Sequence, residues 1–313
     1  MPTTAALTSY RHQERLMGNQ FILTAVAPSS QFAQEGLRKA VDEIRRIEAL
    51  LTTFSDSSIT AQINAAAGDS AVYVPLEVFQ LIHRSLQISR LTQGAFDLSY
   101  GSLDKRFWNF DREMSELPDA QTARNLVRLI NYRNIELDAA AQTIFLREKG
   151  MRIGFGGIGK GYAAERAKKI LVDHGILSGV VNASGDLCAW GTQPNGRPWT
   201  VAIASPNESH LPFAAAELRD SAVATSGNYE KFVLIGGRRY SHTIDPRTGF
   251  PVAGIKSVTI FCKNAELADA LATPVTVMGI RAGLDLVNQL RDVECVLIDE
   301  QDSVFCSLGI NLK

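Results

Sequence analysis

The chain has little that would draw it to a charged partner. Its 313 residues carry 32 basic and 33 acidic side chains, so no net field exists to attract nucleic acid or an anionic membrane surface. Long apolar runs are missing too: none approaches the roughly 18 residues of a membrane span. Cysteine is scarce, with only Cys188, Cys262, Cys295 and Cys306, widely spaced in apolar, strand-like surroundings. Without a C-x-x-C pair or clustered histidines, a disulfide framework and a zinc site are excluded, and the four read as small buried hydrophobes. The opening MPTTAALTSYRHQERLMG has no basic stretch followed by an apolar one, so no signal peptide is visible and a cytoplasmic location is expected. No Pro-, Gly- or Ser-rich linker and no internal repeat divides the chain. One compact domain over 16–313 is expected, preceded by a poorly ordered extension over 1–15.

What is present is a core: 45% of the residues are hydrophobic, ample for a globular domain. Leu37, Val41, Ile44, Ile47 and Leu51 recur at helical spacing and predict a helix over 31–51. A second helix is expected over 76–91 and a third over about 121–130, after a loop-like RFWNFDREMSELPDAQ. Leu16 to Ala27, TIFLRE, GVVNA, WTVAIA, KFVLI, RRYSHTI, SVTIFC, CVLID and SVFCS read as strands, with a helix from Ala265 to Met278. Strands and helices mix without regular alternation, which predicts an α+β fold with mixed or antiparallel sheets packed against helices.

The densest local signal is a run of five glycines, Gly154, Gly156, Gly157, Gly159 and Gly161, enclosing Lys160 and opening into the helical YAAERAKKIL. Such a loop lets backbone approach another group closely, and a helix start offers N–H groups to a phosphate; a tight, close-packed turn reads equally well. A P-loop would need Ser or Thr where Gly161 stands. A dinucleotide fold would need an acidic residue closing the next strand about 20 residues on, and Asp186 lies too late, after Ser184 and Gly185.

Three further segments carry candidate chemistry. KFVLI and RRYSHTI flank Gly236-Gly237, the signature of a two-residue hairpin. Tyr240 and His242 share a face of its second strand, ahead of the turn Asp245-Pro246-Arg247-Thr248-Gly249. Histidine there is a candidate base, or simply a satisfied hairpin residue. In ELADALATPVTVMG, Asp269 and Thr273 are four apart and stack on one helix face. Their oxygens suit a hard cation such as Mg2+, which keeps few protein ligands; alternatively Thr273 bonds back to the helix and Asp269 caps. In LTQGAFDLS, Gly94 caps a helix, and Phe96 either stacks on a ring or packs in the core.

MGNQF, FSDSSITAQIN, T-x-GAFD, GGIGKGYAAERA, VNASGDL, TSGNYEKF, YSHTIDPRTGFPV and ADALATPVTVMG occur in this order from Met17 to Gly279. Together they resemble the ApbE-type flavin transferases, with HTIDPRTG and GGIxKGYA the sharpest motifs. The resemblance implies cleavage of FAD at its pyrophosphate, transfer of FMN to a Ser or Thr hydroxyl of an acceptor protein, and departure of AMP. It implies that Met17, Phe54, Ala95, Phe96 and Asp97 help hold the flavin nucleotide, with Lys160 and Glu165 flanking its phosphates or adenosine. Gly159 would supply a backbone carbonyl to Mg2+, Asp269 and Thr273 its side-chain ligands, and His242 would activate the acceptor hydroxyl.

The chain departs from the family pattern at Gly154, where Asp is usual, and at Ser184, where a second glycine is common. Many relatives are exported lipoproteins, and neither a signal nor a lipid-bearing cysteine is visible here. Two alternatives use the same residues: an FAD pyrophosphatase with water as acceptor, and a non-catalytic FAD-binding protein. A nicotinamide-dependent dehydrogenase is a more distant one.

Overall fold

Three two-residue turns with both residues at positive φ organise the strands in the computed structural model, which describes residues 6–104, 116–204, 212–227 and 232–310. Met17-Gly18 (52° and 73°) joins β1 (Thr8–Leu16) to β2 (Asn19–Ala27). The chain then forms α1 (Ser30–Leu51), α2 (Ile59–Ala65), β3 (Val72–Tyr73), α3 (Leu76–Leu91), α4 (Ala120–Leu126), β4 (Ile135–Asp138), β5 (Thr143–Leu146) and α5 (Gly159–Asp173). Ser184-Gly185 (55° and 100°) joins β6 (Gly179–Ala183) to β7 (Asp186–Trp190). After β8 (Trp199–Ala204), β9 (Pro212–Leu218) and β10 (Ser221–Gly227), Gly236-Gly237 (58° and 78°) joins β11 (Phe232–Ile235) to β12 (Arg238–Ser241). The chain ends in β13 (Ile255–Cys262), α6 (Ala265–Val287), β14 (Glu294–Asp299) and β15 (Val304–Cys306). Positive φ at both central residues gives the twist that antiparallel neighbours need.

Eight strands make one sheet in the order β1-β2-β6-β7-β10-β13-β14-β15, each pair antiparallel. Smaller sheets are β3-β5-β4, β8-β9 and β11-β12. With α5 lying between α1 and α6, and α6 against β10 and β13, this is the expected α+β architecture. The buried face of α1 carries Leu37, Val41, Ile44, Ile47 and Leu51, the spacing read from sequence, and Ser29 caps it by accepting from the Phe32 N–H at 3.3 Å.

Several expectations are corrected. Residues 8–15, assigned to a poorly ordered extension, belong with Leu16 to β1, which pairs along its length with β2. The strand read as one piece from Leu16 breaks at the Met17-Gly18 turn. Two central strands, β7 and β10, escaped the sequence reading because β7 is buried at every position and shows no alternation. The helix expected over Ala265 to Met278 does lose its regular geometry there: Gly279 is non-helical (φ 84°, ψ 172°), and a second helical segment beyond the kink carries α6 on to Val287. Among the described residues α6 alone is long and apolar enough to cross a membrane, but it packs on the sheet and on α5 as a core helix. Most of the RFWNFDREMSELPDAQ loop lies outside the described residues. Cys188, Cys262 and Cys295 are buried free thiols and Cys306 is partly buried.

Candidate functional site

The glycine run does not exist to reach unusual backbone angles, since none of its five members has positive φ. Gly161 is there for closeness. A Cβ on it would stand 2.1 Å from the Ala265 carbonyl oxygen and 2.7 Å from Asp269 Cβ, so α5 and α6 cross where only hydrogen fits. Gly156, by contrast, faces open space.

That crossing lets the helices cap each other. Asp269 on α6 accepts from the Gly161 N–H in the first turn of α5 at 2.8 Å, and Glu165 on α5 accepts from the Ala265 N–H at the start of α6, also at 2.8 Å. Each carboxylate sits at the positive end of the other helix's dipole. The helix start that sequence offered to a phosphate is therefore partly taken by the protein's own carboxylate. Glu165, expected beside phosphates or adenosine, is a cap that also meets Lys168 at 3.3 Å.

Lys160 reaches across to Asp186, the first residue of β7, in an ion pair. Asp186 also accepts from the Thr225 N–H of β10 at 3.2 Å and is 4% exposed. Sequence reasoning set Asp186 aside because its spacing failed the dinucleotide pattern; the available signal was its place in VNASGDL. Burial works against the Lys160 ammonium, but the Asp186 and Asp269 carboxylates outweigh it and raise its pKa. Burial first, then the nearby Asp186 charge, pushes the Asp269 carboxyl up to about 7, against the pull of Lys160 and the N–H groups of Gly161 and Lys160.

Two carboxylates thus face one ammonium, a deficit of positive charge in a dry place. One turn past Asp269, Thr273 is half-buried, and its hydroxyl makes no hydrogen bond among the described residues. It is Thr276 that bonds back, to the Ala272 carbonyl at 2.9 Å. A buried carboxylate with excess negative charge beside an unsatisfied hydroxyl fits a hard divalent cation. No cluster of three or more His, Cys, Asp or Glu side chains stands there among the described residues, so oxygens of water or of a ligand would complete the shell. Gly159, the first residue of α5, carries the carbonyl expected to join this set.

The flavin-side residues fall into two groups. Met17 and Phe96 pack on the glycine run: the Met17 methyl lies 3.5 Å from where a Gly159 Cβ would be, and the Phe96 ring 3.5 Å from that of Gly157. Ala95 and Phe96 are 3% and 6% exposed, so Phe96 in this conformation supports the loop from the core. Asp97 is also internally engaged. Its Oδ1 accepts from the Ser99 N–H and hydroxyl at 2.8 and 2.6 Å, its Oδ2 from the Tyr132 N–H at 2.8 Å. Burial raises its pKa and these bonds oppose the rise. Phe54, in contrast, is 99% exposed, beside Thr53, which lies against Gly154.

His242 stands exposed one residue beyond β12, whose two-stranded sheet is separate from the one that holds Asp186. The strand containing both Tyr240 and His242 ends a residue early, at Ser241, whose hydroxyl accepts from the Thr243 N–H at 2.9 Å. The following turn is pinned by Asp245, which takes Arg247 with both oxygens at 2.9 Å.

Residues 17–297 match the ApbE family. The chain belongs to that family. An FAD:protein FMN transferase of Treponema pallidum is 30% identical over 98% of this chain and 89% of its own length. One from Klebsiella pneumoniae is 27% identical over 97% of this chain and 93% of its own. Among solved structures, the Thermotoga maritima ApbE protein superposes with a TM-score of 0.84 at 27% identity, covering 96% of this chain and 97% of that one. The apo form of the Pseudomonas stutzeri flavinyl transferase ApbE gives 0.84 at 25%, covering 98% of each. By this kinship the ApbE-family chain is an enzyme of the transferase class.

Proposed function

We propose that this ApbE-family protein transfers FMN from FAD to a Ser or Thr hydroxyl of an acceptor protein, releasing AMP. The observation that carries the reading is the placement of Asp269 on α6 against Gly161 and Lys160 in the first turn of α5, with Thr273 one turn further along α6. The acceptor oxygen forms a bond to the phosphorus of the FMN half while the bond from that phosphorus to the bridging oxygen breaks, and AMP leaves with that oxygen. Displacement of this kind needs positioning and charge neutralisation more than covalent help from the protein.

A bound Mg2+ would neutralise the pyrophosphate oxygens and ease departure of AMP. Asp269, Thr273 and the Gly159 carbonyl are the residues that would hold it. Lys160 offers its ammonium to the phosphate oxygens as charge develops. His242, exposed beside the Asp245–Arg247 turn, takes the proton of the acceptor hydroxyl, and its exposure leaves room for a protein substrate. Phe54 and Met17 flank the approach to the glycine run, where the flavin nucleotide is held.

The test is to incubate purified protein with FAD, Mg2+ and a Ser/Thr acceptor peptide, with and without EDTA, and read the products by mass spectrometry. An FMN adduct on the peptide together with AMP supports the reading; FMN and AMP with water as sole acceptor replaces it with hydrolysis. FAD left intact and bound makes the protein a carrier. Asp269→Ala is expected to abolish metal-dependent AMP release, and retained activity with ordinary metal dependence refutes its role as a ligand.

A further inference from the structure

Asp186 is the member of the cluster to which the proposed chemistry gives no task. Its two oxygens are divided between neighbours: Oδ1 accepts from the Thr225 N–H at 3.2 Å, and Oδ2 holds the Lys160 ammonium. Lys160 has a second carboxylate in reach. Asp269 bonds the N–H of Gly161, the next residue in the chain, and acts on the Lys160 ammonium alongside Asp186. Two buried carboxylates, 4% and 6% exposed, therefore compete for one ammonium on a flexible four-carbon stem. An unpaired charge is costly at such depth, so the carboxylate that loses the ammonium is the one that attracts another cation. The backbone bond from β10 and its place after the Ser184-Gly185 turn fix Asp186, and Lys160 is found on it.

We propose that Asp186 is a positioning residue that keeps the Lys160 ammonium off Asp269, leaving the Asp269 carboxylate and the Thr273 hydroxyl open to a divalent cation. The inference rests on the cation site read above. Without Asp186, the lysine becomes an internal cation that pairs with Asp269 and competes with the metal. Lys160 then loses its aim as well, since a lysine paired with Asp269 no longer points toward β7.

The charge of Asp186 also attracts a cation directly, so competition has to be separated from simple addition of charges. A double-mutant cycle makes that separation. Mn2+ is titrated into wild type, Asp186→Asn, Lys160→Met and the double variant, and the free ion is counted by electron paramagnetic resonance. Asparagine retains an Oδ1 to accept from Thr225, and a parallel cycle with Asp186→Ser guards against a variant that does not fold. Competition predicts that Asp186→Asn weakens Mn2+ binding about tenfold, and that adding Lys160→Met restores it, while Lys160→Met alone changes affinity by less than about threefold. An additive cycle, with the same gain from Lys160→Met in both backgrounds, overturns the proposal, as does unchanged affinity in Asp186→Asn. If wild type binds Mn2+ and the cycle is additive, only the role of Asp186 falls. If wild type binds no Mn2+, the cation site falls and this inference with it.

Discussion

Gly161→Ala is the substitution whose cost the geometry sets most directly. The new Cβ would stand 2.1 Å from the Ala265 carbonyl oxygen, 2.8 Å from its carbon and 2.7 Å from Asp269 Cβ. Two of these atoms are backbone, so relief requires α5 and α6 to separate by about 1 Å, and a close-packed interior resists such a shift. Separation stretches both reciprocal caps, each now 2.8 Å, beyond useful hydrogen-bond length. Overpacking costs about 1–3 kcal/mol and each lost cap about 1 kcal/mol, for a sum of roughly 3–5 kcal/mol. At about 2–4 °C per kcal/mol for a large domain, the melting temperature should fall by on the order of 10 °C. Thermal and urea melts of Gly161→Ala, with Gly156→Ala as the control in open space, provide the assay. A Gly161→Ala protein that melts within about 2 °C of wild type, or a control that is equally damaged, refutes the helix-contact account of the run.

The carboxyl of Asp269 makes stability depend on pH with a definite sign. Its folded pKa is raised to about 7, so between the ordinary value of about 3.9 and that point the folded state keeps a proton the unfolded state has lost, and stability falls as pH rises. Metal-free wild type should lose stability relative to Asp269→Asn between about pH 4 and about pH 7; parallel curves would show that Asp269 does not titrate in that window. His242→Ala should slow FMN transfer by about a hundredfold or more, the usual worth of a general base, while FAD affinity measured by flavin fluorescence changes little; equal losses would recast His242 as a binding residue. Asp97→Ala orphans the buried Ser99 and Tyr132 N–H groups and should cost roughly 3 kcal/mol or more in urea denaturation. A normal melt with weakened FAD binding would instead make Asp97 a ligand contact.

Much of this protein was legible before any coordinates. The stripe of Leu37, Val41, Ile44, Ile47 and Leu51 specified α1 because helical periodicity is a local property of the chain. Gly236-Gly237 specified its hairpin because few residues tolerate two successive positive φ angles. The order of motifs from MGNQF to ADALATPVTVMG was sufficient for the family. Asp269 and Thr273 were identified as a stacked pair from their spacing alone.

Only the tertiary structure decided which groups meet. Asp186 joins Lys160 across 26 residues and Gly161 joins Asp269 across 108, and no local pattern encodes a partner at such distances. The glycine run shows the division most clearly. Sequence marked it as a place where backbone comes close to something, and the fold determined that at Gly161 the something is α6. Buried strands such as β7 erase the alternation that would announce them, and β1 was hidden by its polar composition until it paired with β2. Periodicity and turn chemistry act through neighbours in the chain, whereas a site assembled by helix crossing and sheet order exists only once the chain has folded.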